Sequence, residues 1–274
     1  MHSHYAFSIQ AGLISPPATV GLLFALIALF MTVYPVFCAW DARRLRRRLD
    51  SMTPRQRSAA RLRDYRQAIA MLWLATGLVA GLVAAGELTL ESLALIPRFD
   101  AVAGVAALVA VGVGGFFLWQ AAGFRKDPAL RARTRPQLEN MKDVMPRSRR
   151  ELRWFYAMSV TAGVCEEVLY RGFLIVVLTP HLGFAGAAFT SCLAFGFAHI
   201  YQGGVHDLLR TGTIGAALLA LVSVAGSLWP AIVLHAAVDI AGGIIGYQCF
   251  KDSTDSLTTP AVELSADRAV DART

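Results

Sequence analysis

The chain has 274 residues, of which 55% are hydrophobic and 16% charged, and a formal net charge of +7. Soluble domains carry about 25% charged residues, so this composition excludes an ordinary soluble enzyme and points to the membrane class. The charge is concentrated in two blocks: ten Arg against three acids in residues 41–67, and ten Lys/Arg against four acids in residues 125–153. The blocks abut apolar runs and show no regular interleaving of aromatics, which argues against nucleic-acid binding. They fit the positive-inside pattern and are expected to face the cytoplasm.

About 20 helical residues cross a hydrocarbon core, which predicts seven spans: 18–40, 68–86, 101–124, 154–178, 184–201, 211–227 and 229–249. The expected fold is all-α, a polytopic transmembrane helical bundle. The apolar segment 88–96, in the interface, would be an eighth element. Pro35 is expected to kink the first span, which lacks a charged segment before it and reads as a retained span. The block 41–67 reads either as an amphipathic helix on anionic lipid headgroups, with Leu45, Leu49, Met52 and Leu62 towards lipid, or as a solvated helical hairpin. Gly77-x-x-x-Gly81 and Gly242-x-x-x-Gly246 have the spacing of close helix contacts. Seven spans put the N-terminus outside, the acidic link 87–100 outside and the C-terminal tail inside.

The chain divides into an accessory transmembrane region (1–150), a core (151–250) and a polar tail (251–274) of disordered composition. No internal repeat supports an inverted-repeat transporter. Cys38, Cys165, Cys192 and Cys249 lie in or beside apolar runs without C-x-x-C spacing, so they read as buried packing residues.

Ionisable side chains inside the last four spans are few and clustered. The fourth span carries Glu166, Glu167, Tyr170 and Arg171, the fifth His199 four residues after Phe195, and the seventh His235 and Asp239. Charge at bilayer depth costs roughly 2.5–3.5 kcal/mol per group, so such residues are functional candidates. Residues four apart are neighbours on a helix, which pairs Glu167 with Arg171, Glu166 with Tyr170 and His235 with Asp239. Glu166 then points elsewhere and suits a general base. A water between Glu166 and His199 could be directed at a carbonyl, with His235 donating to the oxyanion. His181 and His206 sit in short links and read as surface residues.

The order Glu-Glu-x-x-x-Arg, Phe-x-x-x-His, His-x-x-x-Asp resembles the CPBP (Abi) family of type II CAAX prenyl endopeptidases and bacteriocin-processing enzymes, which includes lysostaphin-resistance-type proteins. Glu166, Glu167 and Arg171 match its first motif, Phe195 and His199 the second, and His235 and Asp239 the last. The resemblance covers about residues 150–247. It implies an intramembrane endopeptidase in which Glu166 and His199 activate water, His235 and Asp239 form the oxyanion site, and Glu167, Arg171, Tyr170 and Phe195 support them. The substrate would be a peptide or a membrane protein, and the location an inner or plasma membrane. The last position is commonly Asn. Asp239, when ionised, only accepts hydrogen bonds, so it either carries a proton or orients the His235 tautomer.

The family has also been described as metal-dependent. A zinc ion would then use Glu166, His199, His235 and Asp239. H-E-x-x-H is absent and Arg171 stands beside the acids, which favours a metal-free glutamate mechanism with no cofactor. The alternatives are a non-catalytic protein of the same fold in bacteriocin immunity or scaffolding, and a proton-coupled carrier.

Overall fold

A computed structural model describes residues 51–200 and 204–251, together with Ala25, Val36, Trp40, Arg44, Arg47 and Arg48. Most of the expected first span, including Pro35 and Cys38, along with Leu45, Leu49 and the tail beyond Lys251, lies outside the described residues. The elements are α1 (Pro54–Ala84), α2 (Ala101–Gly123), α3 (Pro128–Thr134), a 3₁₀ segment (Arg135–Met141), α4 (Arg149–Glu166), a π segment (Glu167–Leu174), α5 (Ile175–Ala198), α6 (Val205–Ala225) and α7 (Trp229–Phe250). The fold is all-helical among the described residues. Among the described residues, five helical stretches are long and apolar enough to cross a membrane. Large apolar side chains such as Leu108, Trp119 and Phe189 face outwards, as lipid contact requires.

Helix starts follow from local chemistry. Thr53 and Gln56 form a capping box ahead of α1, with Pro54 at the first helical position. Asp100 accepts from the Ala103 N–H at the start of α2, and Ser148 from the Glu151 N–H at the start of α4. The stretch Arg149–Ala198 runs without interruption except at Gly183, whose φ of 66° is left-handed. Pro180 precedes this break, and together they turn the chain back on itself. The expected spans 154–178 and 184–201 are the two arms.

Three expectations change. The second span does not begin near residue 68: α1 starts at Pro54 and draws half of the basic block into one helix. Leu62 is buried against protein instead of facing lipid, because this part of α1 packs on α4. The apolar segment 88–96 is neither a span nor an interfacial helix but a series of turns. Its Leu93 is buried against Gly172 and Leu228.

The two basic blocks meet at one end of the bundle. Glu151 is almost fully buried there and accepts from Arg61 Nε (2.9 Å), Ser58 Oγ (2.5 Å) and the Arg147 N–H (2.8 Å). Arg66 stacks over Trp154, and the Tyr65 hydroxyl donates to the Val144 carbonyl.

α7 packs against both α2 and α4, and α5 against α6. The close approaches use isolated glycines. A Cβ on Gly163 of α4 would sit 2.9 Å from Ala236 Cβ and 3.0 Å from the Ile232 carbonyl oxygen of α7, and one on Gly114 of α2 would sit 2.9 Å from Ala237 Cβ. Gly77 and Gly81 meet nothing among the described residues, and neither does Gly242, whereas Gly246 abuts Met145. Because both neighbours at Gly163 are backbone or Cβ atoms, Gly163→Ala is expected to force α4 from α7. The cost should be about 1–3 kcal/mol, read as a lower thermal midpoint in detergent.

Candidate active site

The acidic pair falls at the junction between α4 and the π segment. Eight residues, Glu167–Leu174, follow the wider π geometry, a departure that often accompanies functional sites. Ser191, fully buried on α5, donates to the Tyr170 carbonyl at 2.7 Å and so ties this segment to the returning arm.

Glu167 is the hub. Its Oε1 accepts from Arg171 Nη1 at 3.0 Å, one turn along, and from His235 Nδ1 at 2.8 Å on α7. The side chains of Glu167 and Arg171 are wholly buried. The guanidinium makes one hydrogen bond and lies 4.1 Å from the centre of the Phe195 ring, so a cation–π contact holds its face. Gly215 of α6 leaves room for it: a Cβ there would sit 2.9 Å from Arg171 Nη2.

With Nδ1 engaged by Glu167, the Nε2 of His235 faces Glu166 Oε2 at 3.8 Å and Asp239 Oδ2 at 3.7 Å. Both separations exceed a direct hydrogen bond and suit an intervening water. Glu166 Oε2 is buried and has no protein hydrogen-bond partner. Of the three carboxylates around it, Glu167 is the one within hydrogen-bond distance of His235.

His199 ends α5. Its Nδ1 bonds the Phe195 carbonyl at 2.8 Å. The Phe195 ring stands between the two histidines, 4.9 Å from His199 and 5.8 Å from His235 by ring centres, with Tyr170 edge-on at 5.2 Å. Asp239 also interacts electrostatically with Glu166 and His199, so the expected residues gather in one place. His181 and His206 are exposed.

Exposure is graded. Glu167, Arg171 and His235 are buried, whereas Glu166, His199 and Asp239 are partly exposed. The exposed members lie on the side nearer the basic end: Asp239 is one turn further towards that end of α7 than His235, and His199 lies on the arm that returns to it. At the opposite end the turns around Leu93 cover Gly172 and Leu228, the Leu228 N–H donates to the Ala94 carbonyl, and Trp229 Nε1–H to the Leu95 carbonyl.

No set of three His, Cys, Asp or Glu residues among those described is arranged to hold a metal ion. The His235 Nδ1 is committed to a carboxylate, and Arg171 places a permanent cation on the same oxygen.

Residues 148–241 match the sequence family described as type II CAAX prenyl endopeptidase Rce1-like. The matched segment covers about a third of the chain; it runs from the Ser148 cap of α4 to just beyond Asp239 and so contains every candidate residue. No curated protein and no solved structure matches the chain.

Within the matched segment, the double engagement of Glu167, the ring wall of Phe195, the Ser191 tie and the room left by Gly215 were not anticipated from spacing. The only sequence signal for them was small or aromatic residues within one turn of a polar one.

Proposed function

We propose that the chain is an intramembrane endopeptidase that hydrolyses a peptide bond with water activated by Glu166 and His199. The observation that carries this reading is the unpartnered, buried Glu166 Oε2 set 3.8 Å from His235 Nε2, next to two further acceptors and donors of opposite kind. Water there donates one proton to Glu166 while His199 orients it. Attack on the carbonyl carbon forms a tetrahedral oxyanion. His235, protonated at both nitrogens and held by Glu167 at Nδ1, donates from Nε2 to that oxygen. The C–N bond then breaks, and Glu166 passes its proton to the departing amine. Asp239 shares the His235 side of this space as an acceptor. No metal ion takes part in these steps. The proposed steps use only carboxylates, imidazoles and water.

The five membrane-length helices fit an integral membrane protein. The basic end faces the cytoplasm of an inner or plasma membrane by the charge rule, and the partly exposed side of the site opens towards it. The substrate is a peptide or membrane-protein segment that reaches this depth from that side.

The test uses purified protein in lipid vesicles, a peptide library and a readout of newly formed termini. Wild type is expected to cleave, and His199→Ala to lose about 10²–10⁴-fold, the range of a general acid–base group. Equal cleavage by His199→Ala, or none by wild type, would refute the reading.

A further inference from the structure

Three residues on the returning arm of α5 stand four apart: Ser191, Phe195 and His199. That spacing places them on successive turns of one helix face. Ser191 Oγ donates to the Tyr170 carbonyl at 2.7 Å. The Phe195 ring meets the Tyr170 ring edge-on and covers the Arg171 guanidinium. His199 is carried one turn beyond, with its Nδ1 on the Phe195 carbonyl. One face of α5 thus grips two consecutive residues of the π segment, and Glu166 and Glu167 lie four residues before those two. His199 and Glu166 stand on different helices, so their separation is set through this grip.

Hydroxyls inside helices commonly bond the carbonyl four residues back. Thr179 does so to Ile175 at 2.6 Å, and Thr213 to Leu209 at 2.9 Å. Ser191 departs from this pattern: its hydroxyl crosses to a residue 21 positions earlier in the chain. It is fully buried, so no water can stand in for the bond. Ring contacts tolerate sliding, whereas an O–H···O=C bond fixes both distance and direction. The segment it holds is one that needs holding. Most π geometry is confined to a single turn, yet here it runs over eight residues. A fixed point from outside limits its relaxation towards an α-helix, which would turn Tyr170 and Arg171 about the axis relative to Glu166. On its other side α5 cannot back away: a Cβ on Gly196 would overlap the Leu208 carbonyl oxygen of α6.

We propose that Ser191 is a positioning residue: its bond to the Tyr170 carbonyl fixes the register of α5 on the π segment and so holds His199 opposite Glu166. This role rests on the endopeptidase reading above. Ser191 touches no reacting atom, since two turns, about 12 Å of helical rise, separate it from His199. It acts on the chemistry through the placing of the two groups that handle water.

The experiment measures kcat, KM and the thermal midpoint of the full chain in lipid vesicles, with a peptide that the wild type cleaves. Ser191→Ala is expected to lower kcat about 10–100-fold with KM unchanged, because a misplacement of about 1 Å costs up to about 10²-fold. Ser191→Cys, close in size and a weaker donor, should fall between the two. Val222→Ala, a truncation at a buried position near the far end of α6, is the control. It should lower the midpoint while kcat, measured well below that midpoint, stays at the wild-type value. An equal loss of kcat in Val222→Ala would mean general loosening and overturn the positioning role. Wild-type kcat in the Ser191 variants would overturn it too, as would a rise in KM alone, which would make Ser191 part of substrate binding. If Ser191→Ala does not fold, Ser191→Cys decides by the same criteria. A wild type that cleaves no peptide refutes the endopeptidase reading and this role with it, whereas a cleaving wild type with indifferent Ser191 variants refutes this role alone.

Discussion

Glu166→Gln is expected to lower peptide hydrolysis by about 10²–10⁴-fold, the contribution of a general base, while leaving the fold intact. Glutamine keeps the shape and the hydrogen-bonding reach of the side chain but cannot take a proton from water. The structural cost is small because the Glu166 side chain is 15% exposed and its buried oxygen has no protein partner to lose. Cleavage rate and thermal midpoint, measured on the same preparation, separate the two effects. A variant that still cleaves at the wild-type rate would remove Glu166 from the chemistry. A variant that loses activity only in step with its midpoint would make the residue structural.

Arg171→Met is expected to cost about 3–5 kcal/mol of stability, because it removes one of the two cationic partners of the buried Glu167 carboxylate and leaves only His235. Both side chains are fully buried, so water cannot take over. Removing both charges should cost less than removing one. Glu167→Leu/Arg171→Met is therefore expected to be more stable than Arg171→Met alone, as measured by denaturation in detergent. Activity should not return with stability, since His235 has then lost the acceptor that holds its Nδ1–H. A double variant no more stable than the single one would show that the guanidinium acts through its contact with Phe195 and not through charge.

Much of this architecture is legible in the chain. The apolar runs give the helices, and the two basic blocks give the common end, because hydropathy and charge act over whole segments. Glu166, Glu167, His199, His235 and Asp239 stand out for the same reason: each is costly inside an apolar run. What was hidden depends on geometry that composition does not encode. Nothing in Glu-Val-Leu-Tyr-Arg-Gly-Phe-Leu announces a π segment, since its apolar pattern fits an α-helix equally well. The break at Gly183 was legible by contrast, since the expected spans end at 178 and resume at 184, on either side of Pro180 and Gly183. The conspicuous Gly77/Gly81 pair makes no contact among the described residues, while the solitary Gly163 carries the approach of α4 to α7. Spacing shows that a close approach is sterically allowed, but only the partner's side chains decide where it occurs. Glu167 could be matched to Arg171 within one turn, but its bond to His235 joins residues 68 apart in sequence, and no local pattern reports that.

The turns around Leu93 have a consequence for traffic. They cover the bundle over Gly172 and Leu228 on the side away from the basic end. Under the proposed reading, a substrate would then not enter from that side. It would come from the basic side or from between the helices, which favours loose chain ends and short frayed stretches over the middle of a long rigid helix.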